Sequence, residues 1–131
     1  MKTREKYHAI DDPGHGWIAV PCTELNELGI IDQITGYSYL SSKRTIAYLE
    51  EDCDVTTWSK AWEKHGVSWA ALKSLIKSTY YPNAPCRNFQ SYTPELAKSG
   101  IKNRNRRLKH QVYIDLGMKR VTGALGGVYC E

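Results

Sequence analysis

His15 stands between Gly14 and Gly16 in the run Asp11-Asp12-Pro13-Gly14-His15-Gly16-Trp17. An imidazole can exchange protons near neutral pH, and flanking glycines let a ligand approach the backbone closely. His8 or a carboxylate could orient the ring as in general-base pairs, and Trp17 offers a face for stacking. A second group is Glu50-Glu51-Asp52-Cys53-Asp54, with four carboxylates in five residues. Oxygen ligands of this kind suit Mg²⁺ or Mn²⁺ in phosphoryl chemistry, provided they converge from more than one element. Strand alternation would let Glu50 and Asp52 converge and would leave Glu51 on the other face. Each group also has a structural reading. A turn histidine is usually a hydrogen-bonding residue, and carboxylates at a strand-to-helix junction complement the helix dipole and supply an N-cap.

A third group is cationic. Lys102, Arg104, Arg106, Arg107 and Lys109 fall within eight residues, interleaved with Asn103 and Asn105, and Lys119 and Arg120 follow. Such a run can neutralise several phosphates, with affinity falling as salt rises. It can equally face solvent or dock on the chain's own acidic residues. The charges are sorted along the chain: residues 1–66 carry 7 Lys+Arg and 11 Asp+Glu, net −4, and residues 67–131 carry 11 and 3, net +8. That asymmetry suggests that the second half meets a polyanion or an acidic partner. Tyr37, Tyr39 and Tyr48 form an aromatic contact candidate, or else simply cover the core.

The elements that must hold these residues read as α+β. The 131-residue chain, 41% hydrophobic with four Trp and nine Tyr, can build a core. Tyr7–Ile10 and Trp17–Val20 flank the Asp-Pro-Gly turn as a hairpin. Thr23 is expected to cap a short helix ended by Gly29. Tyr37–Leu40 and Thr45–Leu49 make a second hairpin around residues 41–44. Asp54 is expected to cap a helix bearing Trp58, Ala61 and Trp62, and Ser68 one bearing Trp69, Leu72, Leu75 and Ile76. The stretch 79–99, with Pro82, Pro85 and Pro94, reads as an irregular connection. Ile101, Leu108, Val112 and Leu116 predict a basic helix over 101–116 stopped by Gly117, and residues 119–130 a C-terminal hairpin. Residues 1–66 thus read as an acidic α+β unit and 67–131 as a basic helical segment, separate or continuous with it. A helix followed by a basic hairpin is also the ending of a winged-helix domain.

Cys22, Cys53, Cys86 and Cys130 lack paired C-x-x-C spacing, so free thiols are expected and zinc is disfavoured. No P-loop or nucleophile elbow occurs, and no organic cofactor is expected. No apolar run approaches the roughly 20 residues of a membrane span, and the first residues lack an apolar leader core, so a cytoplasmic setting is expected.

The residues His8, Asp12-Pro13-Gly14-His15-Gly16-Trp17, Leu28-Gly29-Ile30, Tyr37-Ser38-Tyr39 and Tyr48 through Asp54 together resemble a group of small uncharacterised proteins of bacteriophages and prophages. Leu116-Gly117-Met118, Arg120-Val121 and Gly123 through Tyr129 resemble the tail of other short phage proteins. The resemblance implies a host-cell cytoplasmic setting and carries no catalytic residues. In that setting the first expectation is an accessory protein acting by stoichiometric binding to a host protein or protein–nucleic acid complex, as in host takeover or inhibition of a defence system. Lys102, Arg104, Arg106, Arg107, Lys109, Lys119 and Arg120 would be its anchors. Two alternatives stand beside it. One is a DNA- or RNA-binding regulator using the basic helix directly. The other is a metal- or nucleotide-dependent enzyme or nucleotide-binding protein using His15 and the acidic cluster, with Glu50 and Asp52 as metal candidates. His15, Trp17, Tyr37 and Tyr39 are the ligand-contact candidates, the tyrosines as a contact face of the host-binding reading.

Overall fold

The structure, a computed structural model, describes residues 1–115 and the side chains of residues 1–108. It is α+β, as expected. The first hairpin forms from β1 (Tyr7–Asp11) and β2 (Gly16–Pro21), antiparallel with Ile10 opposite Trp17. Helix α1 (Cys22–Glu27) follows directly, with Pro21 as its N-cap residue and no side-chain cap; Thr23 lies inside the helix and does not cap it. Gly29 takes positive φ just past its end, the role expected of it.

The second hairpin is shorter on one side than expected. Strand β3 is only Tyr39–Leu40, because Tyr37 belongs to a turn, and it pairs with β4 (Ile46–Glu50). Helix α2 (Asp54–Glu63) then buries Trp58, Ala61 and Trp62. Its N-cap is Cys53. Asp54 makes no cap: its buried carboxyl group accepts hydrogen bonds from Thr35 N, Thr35 Oγ1 and Ser38 Oγ, which fixes the turn preceding β3. Helix α3 (Trp69–Ser74) is capped by Ser68, whose hydroxyl accepts from Ala71 N. It is shorter than its apolar spacing predicts. Ile76 leaves it to start β5 (Ile76–Tyr80), parallel to β1, and Trp69 remains 42% exposed.

The stretch 79–99 is therefore not an irregular connection. After β5 it holds a 3₁₀ turn (Pro85–Asn88), strand β6 (Gln90–Ser91) beside β3, and the start of α4 (Pro94–Asp115). Pro94 opens that helix instead of breaking the chain, at a position where its missing N–H is no loss. Thr93 Oγ1 accepts from Leu96 N, so the helix begins seven residues before Ile101. The expected helix end at Gly117 and the hairpin at 119–130 lie outside the described residues.

The strand order is β5-β1-β2-β4-β3-β6, so strands from the half after residue 66 lie at both edges of a sheet whose middle comes from the first half. One face, with Ala9, Ile18, Val20, Ala47 and Leu49, packs on the helices through Leu25, Trp58, Trp62, Leu72 and Ala97. The other carries Ile10, Trp17, Tyr39 and Tyr48 and is covered by Ala84, Cys86 and Phe89. The proline-rich segment is thus the lid of the second face. Cys22, Cys53 and Cys86 are free thiols, as expected, and Cys130 lies outside the described residues. Among the described residues no helix is long and apolar enough to cross a membrane.

Candidate functional site

The β1–β2 turn is organised by Asp12. Its Oδ1 accepts from Gly14 N and His15 N, both at 2.9 Å, and its backbone N–H donates to the His15 carbonyl. The carboxylate side chain is only 3% exposed and is gripped by Arg87: Nε donates to Oδ2 at 2.6 Å and Nη2 to Oδ1 at 3.0 Å. This fork holds the Asp12 carboxyl well below the usual carboxylate range, and Asp12 in turn raises the Arg87 guanidinium. Arg87 also lies over Trp17, with Cζ 4.9 Å from the ring centroid.

The β2–β4 register places Glu50 directly opposite Trp17, on the face that the proline-rich segment covers. Glu50 is 7% exposed. Its Oε2 accepts from Asp52 N and Cys53 N at 3.0 Å each, which aims Oε1 at His15, 3.7 Å from Nδ1. Glu51 Oε1 lies 4.0 Å from the same nitrogen. One donor atom from each of His15, Glu50, Glu51 and Asp52 lies within 4.8 Å of all the others. The expectation that Glu51 would point away is corrected. Strand β4 ends at Glu50, and the turn that follows abandons the two-residue alternation. Gly16 makes room for this approach, since a Cβ there would stand 3.0 Å from Glu51 Oε2 and 2.6 Å from Asp11 Oδ1.

Beside this cluster opens a cavity of about 410 Å³. Trp17, Tyr37 and Tyr39 form its aromatic wall, and His15, Glu50 and Asp52 part of its rim. The Trp17 and Tyr39 rings are 6.1 Å apart, and the His15 and Trp17 rings 6.0 Å. Trp17 is 2% exposed, and its Nε1–H has no hydrogen-bond partner among the described residues. Tyr37, at 71% exposed, stands at the mouth. The thiol of Cys53 is pushed above its ordinary value by desolvation and by the negative charges of Glu50 and Asp54. The arrangement can hold a compact cation at the rim against a planar group inside.

The structure thus brings together His15, Trp17, Tyr37, Tyr39, Glu50 and Asp52. The basic residues lie elsewhere. Lys102 and Arg104 are exposed on α4, and Arg106 and Arg107 are half-buried. Arg104 and Arg107 line a different concavity. Lys109 belongs to α4 with its side chain outside the described set, and Lys119 and Arg120 lie outside the described residues. Sequence reasoning missed Arg87 and the bracing role of Asp12, which are 75 positions apart. The Asp-Pro-Gly turn was a signal for Asp12, and none existed for Arg87. No protein-family model, no curated protein and no solved structure matches the chain.

Proposed function

We propose that the cavity binds a divalent cation together with an anionic ligand that carries a planar ring, the chemistry of a nucleotide. The observation that carries this reading is the convergence of His15 with Glu50, Glu51 and Asp52 inside 4.8 Å. A hard cation with oxygen ligands at about 2.0–2.6 Å spans roughly that width across its shell. Three carboxylates and one imidazole favour Mn²⁺ among the candidates, since imidazole suits first-row metals and carboxylates suit Mg²⁺, Ca²⁺ and Mn²⁺. The aromatic wall supports stacking of a base, and a volume of about 410 Å³ is within the range of small-ligand sites. The reading is one of binding, and it assigns no bond cleavage. Its test is thermal unfolding with Mn²⁺, alone and with ATP. Metal at about 100 times its Kd should add ~2.7 kcal/mol, and Glu50→Gln with Asp52→Asn should remove the increment. Identical unfolding with and without Mn²⁺, Mg²⁺ and Ca²⁺ overturns the metal site, and a Mn²⁺ effect indifferent to ATP overturns the nucleotide.

A second reading is favoured by a separate observation: Lys102 and Arg104 remain exposed on α4, and none of the ion pairs among the described residues uses them. In the phage setting that the sequence resembles, this surface suits stoichiometric binding to a host protein–nucleic acid assembly in the cytoplasm. Duplex affinity that does not change between low and physiological salt would reject it for nucleic acid.

A further inference from the structure

At the other end of β2 from the His15 turn, two arginines of α4 meet one from about a hundred positions earlier in the chain. Arg4, before β1, and Arg104 and Arg107, on α4, line one concavity of about 250 Å³. The hydroxyl-bearing side chains of Thr23 and Thr45 line it too, with Pro21 and Ile46. None of the ion pairs among the described residues involves Arg4, Arg104 or Arg107. Like charges gathered around one hollow repel, and an anion in it reverses the sign of that energy. Helix α4 is held in this position by close backbone contact: a Cβ on Gly100 would stand 1.8 Å from the Arg44 carbonyl oxygen. Position 100 precedes Arg104 by about one helical turn, so Arg104 and Arg107 are carried by a docked helix.

We propose that this concavity is a phosphate site, taking a phosphate of a nucleic-acid backbone. Arginine is the side chain whose planar fork matches a tetrahedral oxyanion with two parallel donors, and threonine hydroxyls supply further donors to the remaining oxygens. Carboxylates also accept such a fork, but they present two oxygens in one plane. Three arginines that line one hollow from two segments suit an acceptor with oxygens in three dimensions. The inference deepens the second reading above and rests on it for its macromolecular setting, while the phosphate site itself stands on the geometry of the hollow.

The test has two arms, read on the full chain. In the first, inorganic phosphate is titrated against chloride at equal ionic strength while thermal unfolding is followed. Phosphate raises the midpoint of the wild type, and Arg104→Gln with Arg107→Gln abolishes the difference. Lys60→Gln, exposed on α2 and outside the hollow, keeps it. Should the double variant fail to fold, Arg4→Gln on the segment before β1 is read instead and lowers the effect. Equal midpoints in phosphate and chloride for the wild type overturn the inference. In the second arm, a short DNA duplex is titrated across salt concentrations. The double variant reduces the slope of log K against log salt by about 1, the share of the one phosphate seated in the hollow. Duplex binding with an unchanged slope overturns the inference and leaves the second reading standing. A phosphate response without duplex binding leaves the phosphate site standing and removes that reading. Competition by polyglutamate as effective as by the duplex shows a site that reads charge alone, and this also overturns the inference.

Discussion

Trp58 Nε1 donates a hydrogen bond to the carboxyl group of Glu24 at 2.7 Å, in the interior between α1 and α2. The same group accepts from Trp62 Nε1 at 3.2 Å and from the Tyr7 hydroxyl at 2.8 Å. One carboxyl therefore satisfies three buried donors from β1 and α2, and it joins the sheet to two helices. Burial, with the neighbouring Glu24, raises the Tyr7 hydroxyl well above its ordinary value, so it remains a donor.

Removing that acceptor should be costly. Glu24→Ala leaves two indole N–H groups and a phenol unpartnered in the core, at about 1–3 kcal/mol for each orphaned group. A loss of roughly 3–5 kcal/mol is expected by urea denaturation. Glu24→Gln keeps one carbonyl oxygen for the indoles, and the phenol can turn to accept from the amide, so roughly 1 kcal/mol is expected. Equal losses for the two variants would show that the bonds contribute little and that volume decides.

Gly100→Ala should destabilise the protein although alanine is the better helix former. The substitution gains up to about 1 kcal/mol in helix propensity. The new methyl group, however, would overlap the Arg44 carbonyl at 1.8 Å, a backbone atom that cannot rotate away. Overpacking of this kind costs about 1–3 kcal/mol, so a net loss of roughly 1–2 kcal/mol is expected in chemical denaturation. Displacing α4 also separates Arg104 and Arg107 from Arg4, and the phosphate response of the hollow should weaken with it. A stabilised Gly100→Ala variant would refute the close docking.

The contrast between Glu24 and the β1–β2 turn shows what a sequence can disclose. Asp-Pro-Gly between two β-prone runs is local chemistry, and the hairpin follows from it. Trp58, Ala61 and Trp62 likewise declare a buried face by spacing alone. Glu24 looks like an ordinary helix-surface glutamate, because its three donors lie 17, 34 and 38 positions away. Strand β5 was illegible for a different reason. As an edge strand it buries little beyond part of Ile76, so it shows no alternation, and its pairing with β1 spans the whole first half of the chain. The cavity residues were nameable singly, as histidine in a glycine turn, tyrosines on a hairpin and acids at a junction. Their meeting depends on the register that sets Trp17 against Glu50, and on an arginine from the lid.

Asp12 and Arg87 are predicted to act on the cavity through the turn they hold. Neither donates an atom to the cluster of His15, Glu50, Glu51 and Asp52. Asp12→Asn keeps one oxygen to accept from Gly14 N and His15 N but turns an amide donor toward Arg87 Nε, so the charged fork that fixes the turn is lost. Outer partners of this kind typically cost 10–100-fold in metal affinity when lost, so Mn²⁺ affinity should fall roughly tenfold. Arg87→Lys retains the charge but not the fork, and should show a smaller decrease of the same sign. The His15 imidazole resonances, followed by NMR without metal, should broaden in both variants. Unchanged imidazole lines together with unchanged Mn²⁺ affinity would remove the positioning role.

The thiols offer a readout that needs no ligand. Cys22 and Cys86 are fully buried and Cys53 is exposed. With Cys130→Ser to leave these three, a thiol reagent should label Cys53 in the native protein and reach the other two only in denaturant. Burial pushes the Cys22 thiol up to about 12 and the Cys86 thiol up to about 11. Both folded values lie above the ordinary thiol value, so the neutral form is favoured by folding. The resulting stability is fully present below the ordinary value near 8.5. It is lost as pH rises toward 11 and 12, because the unfolded chain releases protons that the folded one retains. The unfolding midpoint should therefore decline above about pH 9, and the decline should be shallower in Cys86→Ala when each variant is referred to its own midpoint at pH 7. Native labelling of Cys86 at the rate of Cys53 would show that the proline-rich segment opens, and the second face of the sheet would then lack the cover on which the Trp17 cavity depends.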